Sequence, residues 1–182
     1  MELIVALFIF SIVMVVAIGS IVSALDANRK AQSLESVMNN LNLAMDEMTK
    51  SLAVGKEYSC AGGGDCPLSG GSPSKTLSFF SQEGDVVTYE FKEVVSGSGR
   101  GYITRKIGTG SAPELRLTAT EINIDFTKSG FYVEGTGRFS VGDVVQPRVF
   151  IVIAGTAQAG PRNSTSFVVQ TSVSQRTPDF NS

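Results

Sequence analysis

From Leu3 to Leu25 no residue is charged, and beyond that run the apolar positions thin to a stripe of Ala27, Ala31, Leu34, Met38, Leu41, Met45, Met48 and Leu52. At 1.5 Å per residue the uncharged run makes about 34 Å of helix, enough to cross the hydrocarbon of a bilayer. Steps alternating between four and three keep the stripe on one helical face, and Asn28, Lys30, Gln32, Glu35, Asn39, Asn40, Asp46, Glu47 and Lys50 fill the other. No proline interrupts the chain before Tyr58. The pattern predicts one long helix, hydrophobic over 1–25 as a transmembrane or filament-core segment and amphipathic over 26–57.

The period then changes. Tyr58 to Lys75 is rich in Gly, Ser and Pro and reads as a surface loop pinned by Cys60 and Cys66. With no other Cys and no His to complete a metal site, the two cysteines read as a disulfide in an exported domain. For so short a ring the chain-entropy gain is about 2 kcal/mol, which orders a loop without creating a fold. From Thr76 onward short β-rich runs follow one another. TLSFFSQ and VVTYEFKEV flank Glu83-Gly84-Asp85 as a hairpin, and GYITRKI, ELRLTAT, INIDFTKSG and FYVEGTG come next. Arg148 to Ala157 and Thr165 to Arg176 form the last two long runs. In INIDF, Ile122, Ile124 and Phe126 alternate with Asn123 and Asp125, the pattern of a strand with one face buried. The expected fold class is α+β, with residues 76–182 forming an antiparallel β-sheet head. Its apolar face needs a cover, and the striped half of the helix is the amphipathic element available, so the stripe is expected on the sheet rather than on a copy of itself.

Composition narrows the chemistry. The chain has 182 residues, 15 basic and 17 acidic, spread without blocks, so no electrostatic footprint for nucleic acid stands out. It has no histidine, the commonest general base and metal ligand, and no tryptophan. No catalytic, cofactor-binding or metal-binding constellation emerges, and the chain reads as a non-enzyme. Gly62-Gly63-Gly64 and Ser96 to Gly99 lack the Lys-Ser/Thr ending of a phosphate loop and read as turns. Asn163-Ser164-Thr165 fits a glycosylation tripeptide that is common by chance.

A cleaved secretory signal is the rival reading of the N-terminus, but Glu2 makes the start acidic and the apolar run is too long. Arg29 and Lys30 would by the positive-inside tendency hold the head in the cytoplasm, whereas the cysteines prefer an oxidising exterior. A basic leader removed after insertion reconciles the two.

Glu2 followed by LIVALFIFSIVMVVAI, one helix continuing into a soluble half, a disulfide loop and then an antiparallel sheet together resemble the type IV pilin and pseudopilin family. The resemblance implies the pilin fold and a leader cut by a prepilin peptidase, with methylation of the new N-terminus. It implies residence in the inner membrane, then stacking by the pilus assembly machinery into a helical homopolymer on the cell surface that serves adhesion, motility or DNA uptake. Glu2 matches the family's assembly acid, expected to pair with the terminal amine of a neighbouring subunit, although only Met1 precedes it. Many pilins carry a helix-breaking proline in the apolar half; here Gly19 and Ser20 stand in that neighbourhood, either as a melting site or as a close-packing position between helices. Two alternatives share the N-terminal signature: a minor pilin or pseudopilin of a type II secretion-like or competence machine, and a membrane-anchored ectodomain of unknown activity.

Overall fold

The computed structural model describes residues 2–66, 71–136, 145–158 and 164–176, the side chain of Ser33 excepted. Helix α1 runs unbroken over Glu2–Val54. Its stripe meets the sheet only from Leu34 on. Ala27 and Ala31 are exposed, Leu34 and Met38 are half-buried, and Leu41, Met45, Met48 and Leu52 are buried together with Val37 and Ala44. The packed face therefore follows i, i+4, i+7, i+8 spacing and lies against the last two strands of the chain.

The helix ends short of residue 57, for reasons visible at its last turn. Gly55 takes the ring of Phe79 against its backbone, and Glu57 adopts a left-handed φ of 53°. The Tyr58 hydroxyl donates to the carbonyl oxygens of Leu52 and, at 3.1 Å, Gly55, while the Arg176 N–H donates to the Ala53 carbonyl at 2.9 Å. The carbonyls of Leu52 and Ala53, in the last helical turn, thus find partners outside the helix. Burial pushes the Tyr58 phenol pKa well up, so the hydroxyl keeps its donor proton. Lys56–Cys60 is strand β1, where the sequence pattern predicts the end of the helix and the start of a loop.

Strands β2 (Thr76–Phe80), β3 (Val86–Glu93), β4 (Arg100–Ile107), β5 (Glu114–Arg116), β6 (Ile122–Asp125), β7 (Gly130–Glu134), β8 (Arg148–Gln158) and β9 (Ser164–Ser174) follow. The predicted hairpin is β2–β3, closed over Ser81 to Asp85, whereas ELRLTAT narrows to the three exposed residues of β5. All pairings are antiparallel, in the order β1-β2-β3-β4-β6-β8-β7, with β5 on β4 and β9 on β8. β6 and β7 lie end to end along one edge of β8, Ile122 opposite Ala157 and Glu134 opposite Arg148, and β9 occupies the other edge.

Between β6 and β7 the chain bulges. The Asp125 carboxylate accepts the Thr127 hydroxyl at 2.6 Å and the N–H groups of Thr127 and Lys128 at 3.1 and 3.2 Å. The buried Ser129 hydroxyl donates to the Ala154 carbonyl at 3.0 Å and accepts the Ala154 N–H at 2.9 Å, repairing the ladder where the backbone has left it. The Lys75 ammonium donates to the carbonyls of Phe126 and Ser129 and sits 4.8 Å from the centre of the Phe126 ring.

The fold is thus α+β, one long N-terminal helix and a large antiparallel sheet. The sheet is not an open surface with one covered face: it is near-barrel and larger than a typical pilin head. The curl brings Phe91 of β3 and Phe131 of β7, which are not ladder neighbours, to 4.9 Å between ring centres. The core inside holds Phe79, Tyr89, Ile103, Ile124 and Ile151 along with the helix stripe.

Candidate assembly surface

Among the described residues, the first stretch of α1 packs against nothing in the subunit. Every position described from Glu2 to Gln32 is exposed, including all sixteen large aliphatic, aromatic and Met side chains between Leu3 and Leu25. The helix is long and apolar enough to cross a membrane. Each of those side chains is worth roughly 2 kcal/mol when removed from water, so the surface demands lipid or other helices.

Glu2 lies in the first helical turn, exposed, at the tip of this surface. The helix passes through Gly19 and Ser20 without a break, and a β-carbon at Gly19 would meet nothing within 4 Å. Among the described residues, nothing packs there. Asp26, Arg29 and Lys30 form a charged neck between the apolar surface and the point where the head begins.

Cys60 and Cys66 are joined by a disulfide, with 6.2 Å between Cα atoms. The turn they close is folded tightly, the Gly63 N–H donating to the Cys60 carbonyl at 2.9 Å and the Cys60 N–H to the Gly64 carbonyl at 3.3 Å. Asp65, inside the ring, accepts the N–H groups of Thr136 at 2.7 Å and Gly135 at 3.2 Å. Burial alone would raise the Asp65 pKa, but a hydrogen bond from the Thr136 side chain together with those two N–H groups outweighs it and holds the carboxyl below its ordinary value.

The structure does not bring Glu2, the Gly19-Ser20 pair and the disulfide together: the first two lie on the exposed stretch of α1, and the disulfide lies in the head, between the end of β1 and β7. Asn163 of the glycosylation tripeptide, the C-terminal positions 177–182 and positions 67–70 of the disulfide loop lie outside the described residues. Two residues counted only as part of the polar helix face prove to fasten rod to head. Asn40 Oδ1 accepts the Ala119 N–H at 3.0 Å, and the Glu47 carboxylate is ion-paired with Arg105 on β4. Their sequence signal was slight, a polar side chain beside an apolar stripe. Compared with known proteins, the chain matches no family model, no characterised protein and no solved structure.

Proposed function

We propose that this chain is a structural subunit of a type IV pilus, a non-enzyme that polymerises through its N-terminal helix. The observation that carries the reading is the continuity of α1: an exposed apolar rod, bearing sixteen large side chains, is one piece with a helix anchored in a folded head. Lipid of the inner membrane buries the rod before assembly, and neighbouring rods bury it in the filament, with heads outward on the cell surface. Glu2 pairs with the terminal amine of the next subunit, which offsets the cost of a carboxylate near lipid, up to about 3 kcal/mol. Prepilin peptidase and the pilus assembly machinery are the partners this reading requires. At Gly19-Ser20 the helix either loosens on leaving the membrane or lets a neighbour approach closely.

The same rod and head would also serve a second reading, a minor pilin or pseudopilin built into a short envelope filament. Mass spectrometry of filaments sheared from the cell surface separates the two. An abundant chain with a processed, methylated N-terminus is the expected result; confinement of the chain to the envelope gives the second reading, and an unprocessed, unassembled chain overturns both in favour of an anchored ectodomain. Glu2→Ala is expected to reduce filament incorporation drastically while leaving the head folded, and normal incorporation of that variant would remove the pairing.

A further inference from the structure

Among the described residues, β7 pairs with β8 along one edge only. Its other edge is covered by two short pieces of the chain that joins β1 to β2. Cys66 and Val133 exchange both backbone hydrogen bonds, at 2.9 and 3.0 Å, and Ser74 and Phe131 do the same, at 2.9 and 2.8 Å. Asp65 continues this contact beyond the end of β7 through Gly135 and Thr136. The approach is close by construction: a β-carbon at Gly130 would stand 2.5 Å from Pro73 Cβ and 2.7 Å from the Ser74 carbonyl oxygen. This seam makes the curled sheet nearly closed, because it links β7, at one end of the strand order, to the connection that leaves β1, at the other.

The two sides of the seam are fastened differently. Ser74 is two residues from β2, and its hydroxyl donates to the Thr76 carbonyl at 2.7 Å and accepts the Ala61 N–H at 3.3 Å. Cys66 belongs to no strand and is held to the end of β1 by its bond to Cys60. The geometry points to the Cys60–Cys66 disulfide as the clasp of this seam, so that closure of the head depends on thiol oxidation while the helix, β8 and β9 do not. A dithiol reductant breaks the Sγ–Sγ bond, leaving two cysteine thiols and the cyclic disulfide of the reagent, with two electrons and two protons passing to the protein. Asp65 and Cys66 then lose their covalent clasp to β1, and the edge of β7 opens to water at Val133, while Phe131 stays paired with Ser74. The head of an exported chain would complete its seam only in an oxidising compartment, whatever it assembles into.

The alternation of an antiparallel strand supplies the test. The N–H groups of Phe131 and Val133 point into the seam, and that of Tyr132 points to β8. Amide hydrogen exchange is measured on the full chain in detergent micelles, with and without dithiothreitol, and on the Cys60→Ser/Cys66→Ser double variant. Reduction is expected to speed exchange at Cys66, Val133 and Thr136 by roughly tenfold or more, leaving Phe131 on the Ser74 side of the seam, Tyr132 and the helix at Met48 unchanged. The double variant is expected to reproduce that pattern without reagent. Unchanged exchange at Cys66 and Val133, equal acceleration of all amides, or a double variant that stays closed would each overturn the clasp.

Discussion

A β-carbon on Gly55 would lie 2.4 Å from Cδ2 of Phe79, well inside contact distance, so the end of the helix and the first hairpin share one packing point. Gly55→Ala must displace a ring that is fully buried between Tyr58 and Tyr89. Overpacking of this kind costs about 1–3 kcal/mol. Equilibrium denaturation followed by tyrosine near-UV circular dichroism is expected to show that loss, with partial recovery in Gly55→Ala/Phe79→Leu. A neutral Gly55→Ala would mean that Phe79 is not held there.

Two leucine-sized helix positions separate packing from propensity. Met48 is fully buried under the sheet, and Leu43, on the opposite face, is 69% exposed. Met48→Ala is expected to cost about 2–5 kcal/mol of head stability through the cavity it leaves, and Leu43→Ala to stay within about 0.5 kcal/mol of the parent. Comparable losses at both sites, read from denaturant midpoints, would mean that the helix packs on a different face.

Ser129 stands in for a missing rung of the sheet, bonded to both backbone groups of Ala154. Ser129→Ala leaves a buried N–H and a buried carbonyl without that partner, a loss of about 1–3 kcal/mol. The Ala154 amide is expected to exchange faster in the variant, ahead of its neighbours in β8. Unaltered protection of that amide would show that the bulge does not depend on the hydroxyl.

Acid should loosen the disulfide turn through Asp65. Against burial, which would raise it, the carboxyl pKa is held below the ordinary value by hydrogen bonds from the Thr136 hydroxyl and from the N–H groups of Thr136 and Gly135, all of which the carboxylate accepts more strongly than the neutral acid. A depressed folded-state pKa contributes stability that is present above the unfolded value, 3.8, and is lost as pH falls through the folded value. Hydrogen exchange at Gly135 and Thr136, corrected for intrinsic rates, should therefore accelerate on acidification below about pH 4, whereas Asp65→Asn should be fast already at neutral pH and lack that step. Identical pH profiles for parent and variant would remove Asp65 from the seam.

The local pattern carried the helix and most of the strands, because burial of one face writes a period into the sequence. The alternation of Ile122, Asn123, Ile124 and Asp125 and the stripe from Leu34 to Leu52 are both read directly as packing. β1 escaped because Lys56 and Glu57 extend the polar composition of the helix, and its stop signal was a single Gly55. The seam was illegible for a deeper reason: Cys66 meets Val133 and Ser74 meets Phe131 across long stretches of sequence, through backbone groups that every residue carries. That β6 and β7 share one edge of β8 was hidden in the same way, although Asp125-Phe126-Thr127 had the makings of a side-chain-capped turn. Of the candidate site, the apolar rod and the cysteine pair were legible, while the Asn40 and Glu47 fastenings needed the sheet in place.

Because α1 has no break between Glu2 and Val54, it is also an angular gauge. Each residue turns the helix by about 100°, so the direction in which Glu2 points is fixed relative to the face that Leu41 and Met48 bury. One residue inserted in the neck between Leu25 and Leu34 would swing the head about 100° around the rod with every contact inside the head preserved, while seven would return it to within about 20° and lift it by about 10 Å. The bearing of the head is therefore set by the number of residues in the neck, and less by which residues they are.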